Sequence, residues 1–202
     1  MDTPDRLVLA TRNPGKVDEI RALLADLPLT LLPANALDAP LDVVEDAPTL
    51  AGNAKKKAEA YVAHTGCPAL ADDTGLEVDA LDGRPGVETA RFAGPDATAA
   101  DNKRRLLEVM KKEKNRHARF RTVVCYVDAG GNVHTFEGVC EGSITRIPRG
   151  EGGFGYDPLF LPDGHTETFA EMTANAKNAI SHRKIALEKF SHFLHDRFEG
   201  ND

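Results

Sequence analysis

The sequence predicts an α/β domain built on a long mixed β-sheet with flanking helices. Two observations carry this. In the first half, short apolar runs alternate with segments of helical period, in the order β-α-β-α-β. In the second half, two long alternating runs flank Gly130-Gly131-Asn132, the pattern of an antiparallel hairpin. Parallel units followed by a hairpin make a mixed sheet.

Each element follows from its residues. RLVLA (6–10) reads as a buried strand and TRNPGK (11–16) as a polar turn. Val17, Ile20, Leu23, Leu24 and Leu27 recur at helical spacing, which predicts a helix over 15–27. The next stretch is irregular, with a short strand expected near Val43-Val44. A second helix follows: Leu50, Ala54, Ala58, Tyr61 and Val62 share a face, and Gly66 marks its end. ALADDTGLEV (69–78) reads as a buried strand, a turn through Thr74-Gly75, and a second strand with Leu76, Val78 and Ala80 on one face. A Gly/Pro-rich loop leads to a helix over 98–115 with Leu106, Leu107 and Met110 inward. After the hairpin comes a glycine-rich loop with a short strand at Leu159–Leu161. The last helix starts near Ser181, its N-cap, and buries Ala186, Phe190, Phe193, Leu194 and Phe198. No repeat or low-complexity linker divides the chain, so residues 1–202 read as a single domain.

Composition narrows the function. The 202 residues are 41% hydrophobic and 28% charged, an ordinary globular mix long enough to bury a core. The net charge of -7 argues against a nucleic-acid polymer as partner but leaves room for a small anion on a local basic cluster. Cys67, Cys125 and Cys140 fit neither a disulfide framework nor a zinc spacing, and read as buried, reduced thiols. No signal peptide or bilayer-spanning run is seen, so a reducing cytoplasm and no membrane partner are expected.

Five segments carry chemistry. Thr11, Arg12, Asn13, Pro14, Gly15 and Lys16 join a strand to a helix, where backbone N–H groups and the helix dipole suit an anion. This is not a P-loop, because Ala10 and Val17 stand where that motif needs Gly and Ser or Thr. Asn53 and Lys57, four apart, border the apolar stripe of the second helix. Asp72 and Asp73 are adjacent in a strand and so face opposite ways. Magnesium, which takes one or two carboxylates and completes its shell with water and phosphates, accounts for both, and Glu45 offers a further oxygen. Phe154, Gly155, Tyr156 and Asp157 set two rings and an acid on a glycine frame, suited to stacking on a flat base and accepting from it. Lys177, His182 and Arg183 form a basic cluster. The latter two sit in a helix first turn, where the dipole disfavours cations unless an anion is bound. Together these residues describe a nucleoside triphosphate site. A haloacid-dehalogenase-type phosphatase is set aside, since its two aspartates are separated by one residue.

These motifs, in this order, resemble the inosine/xanthosine triphosphate pyrophosphatase family: Thr11-x-Asn13-x-x-Lys16, Glu45 ahead of Asn53-Ala54-x-x-Lys57-Ala58, Ala71-Asp72-Asp73-Thr74-Gly75-Leu76, Gly153-Phe154-Gly155-Tyr156-Asp157-Pro158 and Ser181-His182-Arg183. The resemblance runs from about Leu7 to about Leu194. It implies an elongated, anticodon-binding-like α/β fold with two lobes around a central cleft, and a homodimer. It implies Mg²⁺-dependent hydrolysis of ITP, dITP and XTP between the α and β phosphates. By matching position, Thr11 to Lys16 would grip phosphate, and Glu45 and Asp73 would hold the metal. Asp73 would be the base, with Asp72 and Lys57 in support. Asn53, Thr74 and Arg91 would lie at the substrate. Phe154 would stack on the base, and Asp157, Lys177, His182 and Arg183 would bind base or phosphates. Leu50, Gly52 and Thr74 depart from the family pattern, which often has an aromatic, an acid and a serine there.

Overall fold

The computed structural model describes residues 6–37 and 41–199. Seven strands form one mixed sheet: β1 (Arg6–Leu9), β2 (Thr30–Pro33), β3 (Ala69–Val78), β4 (Pro85–Gly86), β5 (His117–Val127), β6 (Val133–Ile144) and β7 (Phe160–Pro162). Their order is β2-β1-β3-β5-β6-β7, with β4 paired to β3. Five helices flank it: α1 (Pro14–Leu23), α2 (Leu50–Thr65), α3 (Ala99–Val109), α4 (Ala174–Ile180) and α5 (His182–Glu199). No helix among the described residues is long and apolar enough to cross a membrane.

The chain divides into two compact units, one of Met1–Asp73, Thr122–Gly138 and Arg183–Asp202, the other of Thr74–Arg121 and Val139–His182. In the first unit, β1 pairs in parallel with β2 and β3. Successive residues of its strands feed opposite cores. Leu7, Leu9, Leu70, Val124 and Tyr126 pack with Val17 and Ile20 of α1 and with Ala186, Leu187, Phe190 and Leu194 of α5. Val8, Ala69, Ala71, Cys125 and Val127 pack with Ala54, Ala58 and Tyr61 of α2. A strand buried on both faces needs no polar side, which is why RLVLA and VVCYV read as unbroken apolar runs.

In the second unit, β3 pairs antiparallel with β4, and β6 with β7. Here one face is core: Leu76 and Val78, Ala118 and Phe120, Cys140 and Ile144 pack on Leu106 of α3 and on Met110 just past its end. The intervening residues carry ion pairs, Arg121 with Glu77 at 2.9 Å and Arg119 with Glu141 at 2.9 Å and Asp79 at 3.0 Å. HARFR alternates because only one of its faces is covered.

Several expectations are corrected. ALADDTGLEV is one ten-residue strand with no turn at Thr74-Gly75. It is held by a parallel partner at Ala69-Leu70 and an antiparallel one at Leu76-Glu77. The first helix stops at Leu23; Pro28 biases the residue before it to extended backbone. The strand expected near Val43-Val44 is absent, and Val44 is 67% exposed; the second strand is Thr30–Pro33 instead. The third helix ends at Val109, where Arg116 Nη1 donates to the Met110 carbonyl at 3.0 Å. The last helix, α5, does start next to Ser181, but an unforeseen helix, α4, precedes it. Phe198 has its side chain outside the described residues. The three cysteines are free, with Cys125 and Cys140 buried and Cys67 half-buried.

Candidate active site

The adjacent carboxylates of β3 part to opposite faces. Asp72 turns to the side of α1 and α5. Its Oδ2 is 2.9 Å from Lys16 Nζ and 3.2 Å from Arg183 Nε. Arg183 Nη1 also donates to Glu19 Oε2 at 2.7 Å. Burial alone would raise the Asp72 carboxyl, but the charges of Lys16, Arg183 and Lys57 outweigh it and hold it well below the usual carboxylate range. Burial pushes the Arg183 guanidinium down, and Asp72 and Glu19 more than reverse that. The cation at the first turn of α5 thus finds its anions within the protein. Asp72 takes two protein cations as its counter-charge, where the sequence suggested a metal serving both carboxylates.

Asp73 turns to the α2 side. Its Oδ2 accepts from Asn53 Nδ2 at 3.1 Å, and Asn53 Oδ1 accepts the Ala47 N–H at 2.9 Å. Asn53, expected at the substrate, is 1% exposed and uses both ends of its amide on the protein. One turn later, Lys57 Nζ donates to Glu45 Oε2 at 2.9 Å and to the Asp72 carbonyl at 2.7 Å. Lys57 thus makes the inward contact that its place beside the apolar stripe predicted.

Asn13 caps α1, with Pro14 in the first turn. Its Oδ1 accepts from Gly15 N at 3.0 Å and Lys16 N at 3.4 Å, and Thr11 Oγ1 accepts from Asn13 N at 3.2 Å. The N–H groups of Asn13, Gly15 and Lys16 are therefore engaged by the loop's own side chains, and Lys16 supplies its full charge. Arg12 pairs with Asp42 at 2.8 Å on the surface. Thr11, Arg12, Lys16, Glu45, Lys57 and Asp72 line a cavity of about 170 Å³ with Ala10, Leu41, Asp42, Val43 and Tyr61. Whole-ligand pockets run to roughly 300–1,000 Å³, so this charged recess suits the polar tail of a ligand.

The second unit holds the remaining residues. Asp157 is 3% exposed; its Oδ2 accepts the Phe154 N–H at 2.8 Å and pairs with Lys177 Nζ at 2.7 Å. A Cβ on Gly153, whose φ is +70°, would run into that carboxylate, so glycine is required there. Lys177 Nζ lies 4.6 Å from the centroid of the Phe154 ring. The two rings separate: Phe154 is 52% exposed, whereas Tyr156 is buried and its hydroxyl donates to the Thr89 carbonyl at 3.0 Å. Of these two rings, only that of Phe154 is open to solvent. Gly155 has φ +58°. Thr74 is half-buried in β3 and Arg91 exposed in a 3₁₀ turn. His182 is 5% exposed, with its ring stacked on Phe120 at 4.9 Å.

Glu45 and Asp73 offer hard carboxylate oxygens, and no group of three or more His, Cys, Asp or Glu among the described residues is set to hold a metal. A donor set of two carboxylates fits magnesium, whose shell is otherwise water and phosphate.

A family model described as the Ham1 family matches residues 7–193. The chain belongs to the Ham1 family. Among curated relatives it is 47% identical over 191 residues to the dITP/XTP pyrophosphatase of Porphyromonas gingivalis, covering 94% of this chain and 97% of that protein. It is 48% identical over 184 residues to the dITP/XTP pyrophosphatase of Geobacter sulfurreducens, covering 90% and 92%. Among solved structures, a HAM1 protein from Coxiella burnetii superposes with a TM-score of 0.89 at 40% identity, over 95% of this chain and 98% of that one. The resemblance read from the motifs is thereby confirmed, as is the mixed α/β fold.

One residue that this Ham1-family chain ties to the site has no counterpart in the sequence reading. Glu19, which braces Arg183, sits three residues after Lys16 on α1. That spacing puts both on one helix face and was the available signal.

Proposed function

We propose that the chain hydrolyses non-canonical purine nucleoside triphosphates (ITP, dITP and XTP) to the monophosphate and pyrophosphate, and so clears them from the nucleotide pool. The observation that carries this beyond family membership is the splayed Asp72-Asp73 pair. One carboxylate is neutralised among Lys16 and Arg183, and the other is held by Asn53 on the side of α2, the helix whose Lys57 holds Glu45.

The residues divide the work by chemistry. Lys16, with Thr11 to Gly15, and Lys57 offset phosphate charge. Arg183, buried between Glu19 and Asp72, holds the Asp72 carboxylate beside Lys16. Glu45 and Asp73 would hold Mg²⁺, which when bound polarises phosphoryl oxygens and activates water. Asp73 orients the water that attacks the α phosphorus; the bond from that phosphorus to the bridging oxygen breaks, and pyrophosphate leaves. Phe154 stacks on the base. Lys177, held by Asp157, offers a donor that a 6-oxo group accepts and the 6-amino group of adenine does not. Thr74, Arg91 and His182 are the second unit's further candidates for substrate contact. We place the enzyme in the reducing cytoplasm as a homodimer; its free cysteines support the first.

A substrate panel tests the reading. Turnover of dITP, ITP and XTP well above ATP, GTP and dTTP is expected. A preference for dTTP would point to a pyrimidine-directed pyrophosphatase, and nucleotide binding without turnover would reduce the site to a binding module.

A further inference from the structure

Asn53 is uncharged, sealed from solvent and engaged at both ends. A buried amide left unmatched is costly, so both of its contacts matter to the fold. Those contacts join two pieces of backbone that are distant in sequence. Ala47, whose N–H Asn53 accepts, is two residues from Glu45; Asp73, to which Asn53 donates, is on β3. Lys57 repeats the connection one turn on, joining Glu45 to the Asp72 carbonyl. The segment before α2 and the strand β3 are thus each tied to α2 twice.

Gly52 makes the first tie possible. A Cβ there would stand 2.8 Å from Ala47 Cβ and 3.1 Å from Thr49 Oγ1. The segment 47–49 lies against the first turn of α2 closely enough that any side chain at 52 would push it away. The departure from the family's acid at this position is therefore matched by a tight approach of the segment that carries Glu45.

We propose that Asn53 is a positioning residue that fixes Glu45 and Asp73 relative to each other and so sets the affinity for the divalent cation, with Gly52 admitting the segment it holds. This rests on the reading of Glu45 and Asp73 as the metal's ligands. Partners that orient metal ligands without touching the ion change affinity by about 10- to 100-fold when removed, and Asn53 occupies that place for both ligands at once.

The test is Mn²⁺ binding, followed by electron paramagnetic resonance on the full chain without nucleotide, for wild type, Glu45→Gln, Asn53→Ala and Gly52→Ala. Asn53→Ala is expected to weaken Mn²⁺ binding by about 10- to 100-fold. It should raise the Mg²⁺ concentration for half-maximal activity to match, with the nucleotide KM at saturating Mg²⁺ unchanged. Gly52→Ala, which leaves the amide in place, should weaken Mn²⁺ binding in the same direction. It also decides the matter should Asn53→Ala fail to fold. Wild-type Mn²⁺ affinity in a folded Asn53→Ala or Gly52→Ala protein, with binding lost in Glu45→Gln, overturns the positioning role alone. Wild-type affinity in Glu45→Gln overturns the ligand reading beneath it.

Discussion

Arg183 Nε meets Asp72 Oδ2 at 3.2 Å, and the two side chains are 3% and 4% exposed. The carboxylate that the resemblance sets in support of Asp73 is also the anion that makes a buried arginine tolerable. Breaking such a pair by removing one partner costs about 3–5 kcal/mol, because a buried charge is left behind. Asp72→Asn is therefore expected to lower stability by about that amount in urea unfolding, with Glu19 still bracing Arg183. Stability within 0.5 kcal/mol of wild type, on the order of a surface substitution, would remove Asp72 from this role.

His134 gives the fold a dependence on pH. Burial, then the nearby Arg197 charge, lowers its pKa from the ordinary value, against an opposing pull from Asp128. Arg197 Nη2 lies 3.3 Å from His134 Nε2, a geometry that suits the neutral ring. As pH falls through the unfolded value of about 6.5, the unfolded chain takes up a proton that the folded chain refuses, and stability declines until the folded pKa is passed. Melting temperatures between pH 8 and 5 should fall less in His134→Gln than in wild type. Parallel curves would count against this.

Phe154 and Tyr156 make opposite predictions two residues apart. Phe154 is half exposed, so Phe154→Ala should leave the melting temperature near wild type. It should raise the KM for dITP by the worth of one stacked base, about 1–3 kcal/mol or roughly 5- to 150-fold. Tyr156→Phe removes a buried hydroxyl bond to Thr89 and should cost about 1 kcal/mol of stability with little change in KM. Steady-state kinetics beside thermal melts separates the two.

Much of this arrangement was legible because it rests on period and chemistry. The α2 stripe and its Gly66 cap, the hairpin and the opposite facing of Asp72 and Asp73 all follow from spacing alone. The misreadings have local causes. Thr74-Gly75 has turn composition, yet the pairing of β3 with β1 and β4 holds it extended. Tertiary pairing overrides a two-residue propensity. Helix α4 has no buried residue, so it carries no apolar period to detect. The partners of Asp72 come from Lys16 and Arg183, 56 and 111 positions away, as Asp72 lies at 72. Spacing supplied the cations, but only the fold shows that they meet on one carboxylate.

The central claim is that Asp73, with Glu45, holds the cation under which the triphosphate is cut between its α and β phosphates. The direct measurement is the product released from dITP by wild type and Asp73→Asn, each with Mg²⁺ and with the metal removed by a chelator. Pyrophosphate from wild type with Mg²⁺, lost on chelation and in Asp73→Asn while the variant still folds, is the predicted result. Orthophosphate as the direct product, or full activity in Asp73→Asn, would contradict it.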